Sequence, residues 1–275
     1  MAAITAIICA LIITGCSSSS GGSKKHADYT GPAPVMGLTV ERASVAIGVL
    51  STAAAKDYGY RVLSCPGADE DMRCVDDMAA DAGITNRKML LSQAATWAGV
   101  KAAILAATQG FGPEDLLVLS LAGHGGWVKD TNGDEVSGKD STWCLYDGPV
   151  VDDDVWAFLV SQVPPCRVIF ITDTCHSEGS WRQYVPFWDT SRNVDIDYRS
   201  QWPGSLVQLA ACREAESALG GTLGGQWTSA LYDTRNAATL RQWFDDAKSL
   251  VEDQVPSIGT YGPLAQIMLD GKPLE

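Results

Sequence analysis

Beyond Arg42 the apolar positions take two forms: short unbroken runs, and stretches in which they recur every three or four residues. The unbroken or β-branched runs 43–50, 88–92, 115–123, 167–173 and 205–212 predict strands, and PLAQIML (263–269) predicts another. DLLVLSLAG and RVIFITD show none of the in–out alternation of a half-solvated strand, which is the form parallel strands take when both faces are covered. Between the runs, Met72, Val75, Met78 and Ala79 share a helical face within 69–83, and Gly83 ends that helix. The Ala-rich 94–110 stretch reads as a second helix stopped by Gly110, and 227–233 and 238–253 read as helices near the C-terminus. Strands alternating with helices are the signature of a layered α/β domain built from βαβ units. One segment interrupts the alternation: 126–154 is rich in Gly and Asp, separates two buried strands and reads as a functional loop.

The first sixteen residues, MAAITAIICALIITGC, are apolar but too short to span a bilayer, and match a secretory leader in length. Ile13-Thr14-Gly15-Cys16 resembles the processing box of bacterial lipoproteins, which would make Cys16 the lipidated residue and 17–40 a flexible tether to a domain over 41–275. No Lys or Arg precedes the apolar run, a departure from a secretory leader. The expected location is outside the cytoplasm, lipid-anchored to a bacterial membrane with that anchor as the sole membrane contact; the alternative, a plain apolar N-terminus, leaves the domain periplasmic or cytoplasmic.

With 46% hydrophobic and 19% charged side chains in 275 residues, one substantial core is expected. Twenty Lys and Arg against 33 Asp and Glu give a formal charge of −13, which excludes nucleic acid as the natural partner and suits a basic peptide or a divalent cation. Six cysteines lie beyond the leader (65, 74, 144, 166, 175 and 212) with no CxxC pair among them, so free thiols are expected.

In a mostly parallel sheet, ligands bind beyond the carboxyl ends of the strands. Two runs end in reactive residues: 116–122 leads into Gly123-His124-Gly125, and 168–172 leads into Asp173-Thr174-Cys175-His176. If these strands are parallel neighbours, His124 and Cys175 share one rim, where an imidazole beside a thiol generates the thiolate of a cysteine hydrolase. His176 is on the wrong side of an extended chain to act as base for Cys175 and takes a structural role. A zinc site from His124, Cys175 and His176 is the competing chemistry, without a supporting ligand spacing.

These residues resemble the metacaspases, a family of caspase-like cysteine peptidases, over nearly the whole domain. The resemblance rests on Ala122-Gly123-His124-Gly125, on the acidic stretch from Asp130 to Asp140, and on Val150-Val151-Asp152-Asp153-Asp154-Val155. It continues in Asp173-Thr174-Cys175-His176-Ser177 and in 210–218 with the 224–231 segment that follows. It implies a caspase-like three-layer α/β/α sandwich around a mostly parallel sheet of about six strands. It implies Cys175 as nucleophile, His124 as its partner, and the Gly125 and Cys175 amides as the oxyanion site. Asp71 and Asp173 would read a basic P1 residue, Arg or Lys, and Asp71 would also suit a helix N-terminus. Calcium is the implied cofactor, on Asp140, Asp152 and Asp153, and a monomer is the implied state. Lys129, Lys139, Arg182, Arg192 and Arg199 offer sites for self-cleavage. Three residues depart from the pattern: Ala122, Thr174 and Glu178. Glu178 stands where the family has Gly, which predicts crowding beside Cys175 and favours the alternative of a catalytically silent peptide-binding relative.

Overall fold

Continuous apolar runs become the middle of the sheet because only a strand covered on both faces gains from having no polar side. In the computed structural model, which describes residues 40–275 except 55, 134, 136 and 181–201, β1 (Arg42–Gly48), β3 (Leu116–Ala122) and β7 (Arg167–Asp173) lie side by side and parallel. They are flanked by β2 (Asn86–Leu91) and β8 (Ser205–Ala210), also parallel, and β11 (Ser257–Tyr261) closes the far edge antiparallel to β8. The order is β11-β8-β7-β3-β1-β2. The leader and tether expected over 1–39, Cys16, and the cleavage sites expected at Arg182, Arg192 and Arg199 lie outside the described residues.

Alternate side chains of each strand build the two outer layers. Val45, Ile47, Leu117, Leu119, Leu121, Val168 and Phe170 pack with α2 (Trp97–Ala107) and α3 (Asp152–Gln162). Ala46, Leu116, Val118, Ile169, Ile171, Val207 and Leu209 pack on the opposite face with α1 (Ala68–Asp81), α4 (Gln226–Asp233), α5 (Leu240–Ser249) and α6 (Ala265–Asp270). The caspase-like three-layer sandwich and its six-stranded, mostly parallel sheet are therefore present as expected. Local signals set the helix ends: Thr96 and Thr239 cap α2 and α5 by accepting from Gly99 N (3.0 Å) and Gln242 N (3.1 Å), and Gly83, at φ 77°, lets the chain leave α1.

Four fully buried tryptophans tie the layers together without leaving an indole N–H unpaired. Trp202, Trp227 and Trp243 donate to Val163 O (3.2 Å), Leu209 O (3.1 Å) and Leu231 O (2.8 Å), and Trp143 donates to Ser180 O. An orphaned buried donor would cost about 1–3 kcal/mol at each position.

Two expectations are corrected. The 126–154 segment is not one continuous loop but carries a second, antiparallel sheet, β4 (Gly125–Lys129), β5 (Lys139–Cys144) and β6 (Pro149–Val151), and leads into the first turn of α3. Its middle strand buries Asp140, Ser141 and Thr142, so its polar composition hid the strand. The 263–269 run forms helix α6, burying Ala265, Met268 and Leu269 at helical spacing, while the edge strand is the half-polar SIGTY just before it. The remaining elements are a small hairpin, β9 (Gly220–Gly221) and β10 (Gly224–Gly225), which leads directly into α4.

Candidate active site

The pairing of β3 with β7 sets the site. Ala122 lies opposite Asp173, so His124 and Cys175 each stand two residues beyond the last pair, at the carboxyl ends of adjacent parallel strands. Gly123 carries the register one step further, donating to Asp173 O (3.3 Å) from a backbone at φ 149°. The chain then turns into β4 so close to the nucleophile loop that a Cβ on Gly125 would lie 1.9 Å from Cys175 O. Cys144 N donates to His124 O (3.2 Å), so by the alternation of an antiparallel ladder Gly125 faces Trp143 in a non-hydrogen-bonded pair, and its N–H is turned away from β5.

His124 Nε2 lies 2.9 Å from Ser64 O. A carbonyl only accepts, so Nε2 carries the proton and Nδ1 is the free base. Ser64 is held by a bridge to Ser51 beyond the end of β1, and Cys65 N donates to Leu50 O (2.9 Å).

After Cys175 the chain turns sharply. His176 takes a left-handed conformation (φ 57°), and its Nδ1 donates to Glu214 O (2.6 Å) while its N–H donates to Glu216 O (3.0 Å). It clamps the turn, in the structural role expected for it. Ser177 Oγ accepts from Cys212 N (3.1 Å), and Gln208 Nε2 donates to Ser177 O (2.6 Å) and Ser180 Oγ (3.0 Å). Glu178, the residue expected to crowd Cys175, turns its carboxylate to accept Glu214 N (3.2 Å).

The two expected specificity carboxylates meet. Asp71, in the first turn of α1, and Asp173, at the end of β7, are both buried. Asp71 Oδ1 accepts Gly225 N (2.7 Å), and Asp173 Oδ2 accepts both Thr228 N and Thr228 Oγ1 (2.9 Å each). The glycine hairpin lies directly on them: a Cβ on Gly224 would sit 2.6 Å from Asp71 Oδ1, and one on Gly225 would sit 2.1 Å from Asp173 Oδ2. Burial and then the charge of Asp173 push the Asp71 carboxyl up to about 8; burial pushes Asp173 up to about 6 against the Thr228 hydrogen bonds. A cation arriving between them would relieve both. Cys65 stands nearby, its thiol raised to about 11 by burial and by Asp71, Asp173 and Cys175, which keeps it protonated and poorly nucleophilic. The six described cysteines are free.

The three residues expected to hold calcium lie in different settings. Asp140 groups with Asp130 and Glu135, whose carboxylate oxygens lie within 4.8 Å of one another. Asp130 also organises its loop, accepting Asn132 N (2.9 Å), Gly133 N (2.6 Å) and Glu135 N (3.3 Å). Asp152 and Asp153 open α3, and Asp153 Oδ2 accepts Asn132 Nδ2 (2.7 Å), linking that helix to the loop. A set of carboxylates fits a hard cation such as calcium. Among the described residues, His124, Cys175 and His176 do not form a metal-ligating group.

Sequence reasoning missed Ser64, Gln208 and Thr228. Gln208 had a visible signal, a polar residue inside a buried apolar strand; Ser64 acts through a carbonyl, which leaves no trace in composition.

A six-stranded sandwich with a His and a Cys on neighbouring strand ends defines the caspase-like class of cysteine peptidase folds. Residues 67–181 match the family described as Metacaspase, peptidase C14 domain, so this part of the chain is similar to the metacaspases. It is 30% identical over 142 residues to Metacaspase-1 of Schizosaccharomyces pombe, covering 50% of this chain and 29% of that protein, so it spans less than a third of that relative. The crystal structure of protein GSU0716 from Geobacter sulfurreducens superposes with a TM-score of 0.70 at 26% identity, covering 85% of this chain and 98% of that one. Caspase-1 from Spodoptera frugiperda shares the fold, with a TM-score of 0.54 at 11% identity, covering 85% of this chain and 91% of the other.

Proposed function

We propose that this chain is a cysteine endopeptidase that cuts after Arg, and less readily after Lys, using Cys175 and His124. The observation that carries this reading is the buried Asp71–Asp173 pair, since Asp173 belongs to the strand end that presents Cys175. Two fixed carboxylates match the planar fork of a guanidinium better than the point charge of an ammonium.

In the first step the Cys175 thiol passes its proton to His124 Nδ1, and the thiolate attacks the carbonyl carbon after the basic residue. The carbonyl oxygen takes up the electron pair and is met by the Gly125 and Cys175 N–H groups. When the C–N bond breaks, imidazolium gives its proton to the departing amine, leaving an acyl-enzyme thioester. Water, deprotonated by His124, then releases the acid and restores the thiol. The bond from Nε2 to Ser64 O keeps the imidazole in the useful tautomer. Asp140 with Asp130 and Glu135 would hold calcium, with Asp152 and Asp153 beside them; the ion would supply the positive charge that draws these carboxylates together. Acylation of Cys16 would tether the exported domain to a membrane, and a mass shift of the mature N-terminus would detect it.

The test is hydrolysis of matched fluorogenic peptides with Arg, Lys or Asp at P1, on the wild type and Cys175→Ala, with calcium or chelator. Arg should be cut fastest, Asp not at all, and Cys175→Ala should be inert. Cleavage that survives loss of the thiol would end this reading.

A further inference from the structure

Glu214 has all three of its polar groups engaged, each by a different segment around the nucleophile. Its N–H donates to Glu178 Oε2 (3.2 Å), its carbonyl accepts from His176 Nδ1 (2.6 Å), and its Oε1 accepts from Ser137 Oγ (2.8 Å). Ser137 belongs to the acidic loop between β4 and β5, while His176 and Glu178 belong to the turn that carries Cys175. We propose that Glu178 and Ser137 are positioning residues that hold the Cys175 turn in its reactive shape through this one shared residue.

The need for such a hold follows from the backbone. His176, directly after Cys175, sits at φ 57°, a left-handed conformation that non-glycine residues disfavour. Something outside the turn must keep it there, and both bonds from His176 go to the 214–216 segment. That segment is anchored through Glu216, whose Oε2 accepts Arg213 N (3.3 Å) and Val255 N (3.2 Å). Glu178 grips Glu214 from the nucleophile side. Ser137 grips it from the acidic loop: its Oγ lies nearer the Glu214 carboxylate, at 2.8 Å, than Lys139 O, at 3.2 Å, so the single hydroxyl proton favours the charged acceptor. Glu178 thus supplies in this chain a contact that the glycine of the family pattern has no side chain to make. Ser137 makes the acidic loop a mechanical neighbour of Cys175, so the state of one bears on the other.

The catalytic readout rests on the peptidase reading; the chemical readout does not. The experiment measures the rate of Cys175 alkylation by iodoacetamide, followed by peptide mass mapping, alongside kcat and KM on an Arg-P1 peptide. It compares the wild type, Glu178→Ala, Glu178→Gln, Ser137→Ala and the Glu178→Ala/Ser137→Ala double variant. A charge-assisted hydrogen bond of the usual strength predicts about a tenfold fall in alkylation rate and kcat for Glu178→Ala, with KM unchanged. Ser137→Ala should fall by less, roughly threefold. Glu178→Gln should recover most of the alanine loss, because an amide oxygen still accepts Glu214 N–H. The double variant should lose less than the product of the two single losses, since both act through Glu214. Wild-type alkylation in both alanine variants, losses that multiply, losses confined to KM, or a glutamine no better than alanine would each overturn the proposal. If the wild type cuts no peptide, the peptidase reading fails and the alkylation rates still decide this one.

Discussion

Two carboxylate clusters in this chain are built in opposite ways. Asp71 and Asp173 come from distant parts of the sequence, a helix start and a strand end, and both are buried under a glycine hairpin that touches their oxygens. Asp130, Glu135 and Asp140 come from one stretch, where Asp130 is stitched to its own loop by backbone N–H groups. The first cluster owes its geometry to the sheet and tolerates no rearrangement: a methyl group on Gly225 would overlap Asp173. The second owes its geometry to local turns and to the β4–β5 pairing that brings Asp140 back beside Asp130. A rigid buried pair selects for shape and suits a planar guanidinium; a loop of hard oxygens can close around a spherical ion. Both clusters are carboxylates, and on the proposed reading their placement would decide which cation each prefers.

The largest effect expected from this difference is at Asp173. Asp173→Asn keeps an oxygen for Thr228 N and Thr228 Oγ1, so the fold holds, but the charge that meets the guanidinium is lost. Truncating one partner of a buried, hydrogen-bonded charge pair costs about 2–5 kcal/mol, so kcat/KM on Arg-P1 peptides should drop by roughly thirtyfold or more. Steady-state kinetics on Arg and Lys peptides checks this; an unchanged Arg preference would remove Asp173 from substrate recognition.

The next effect is on pH. Asp71 must be ionised to receive a guanidinium, and its carboxyl is raised to about 8, so kcat/KM on Arg peptides should climb through pH 6–8, by up to about tenfold per pH unit below that value. Asp71→Asn should lose that limb. Stability runs the other way. The folded state holds a proton that the unfolded chain releases near 3.8, so the native state is fully favoured below that pH and loses stability as pH rises toward 8. Asp71→Asn, whose side-chain oxygen still accepts Gly225 N, should therefore melt higher than wild type at pH 8, with the gap closing by pH 4. Calorimetry at the two pH values tests the sign; a lower melting temperature for the variant at pH 8 would show that burial of this carboxylate is not a strain.

The contrast between the clusters also explains what could be read from the chain. Parallel strands buried on both faces write themselves as unbroken apolar runs, so β3 and β7 were visible, and with them the strand ends bearing His124 and Cys175. Asp71 and Asp173 followed from their motifs. Their partners did not: Gly224 and Gly225 stood in the 224–231 segment, but what they do is let a backbone approach two carboxylates, which is visible only once those carboxylates are in place. The β4–β6 sheet escaped because its middle strand buries Asp140, Ser141 and Thr142, reversing the usual link between polarity and exposure. The seven residues 263–269 were too short a run for periodicity to separate helix from strand. Asp130 and Glu135 lay in the acidic stretch, yet their closeness to Asp140 depends on the β4–β5 pairing, which was not foreseen.

The smallest effect separates the clusters from each other. Calcium at tenfold over its dissociation constant should stabilise the wild type by roughly 1.4 kcal/mol, which is a rise of a few degrees in melting temperature for a domain of this size. Asp140→Asn should abolish that rise, because Asp140 is the buried member of the trio, while the ranking of Arg over Lys at P1 stays as in the wild type. Asp130→Asn keeps an oxygen that can accept Asn132 N and Gly133 N, so it removes charge with little disturbance of the turn, and it too should lose the calcium response. Asp152→Asn lies outside the trio and should keep most of it. Melting curves and terbium luminescence on the three variants give the order directly. If Asp152→Asn loses the ion and Asp130→Asn keeps it, the ligand set implied by the family resemblance holds and the proximity of Asp130, Glu135 and Asp140 is incidental. If Asp140→Asn alters the Arg-over-Lys ranking, the two clusters are not independent, and the path between them runs along β5 to the Cys175 turn, where Trp143 donates to Ser180 O.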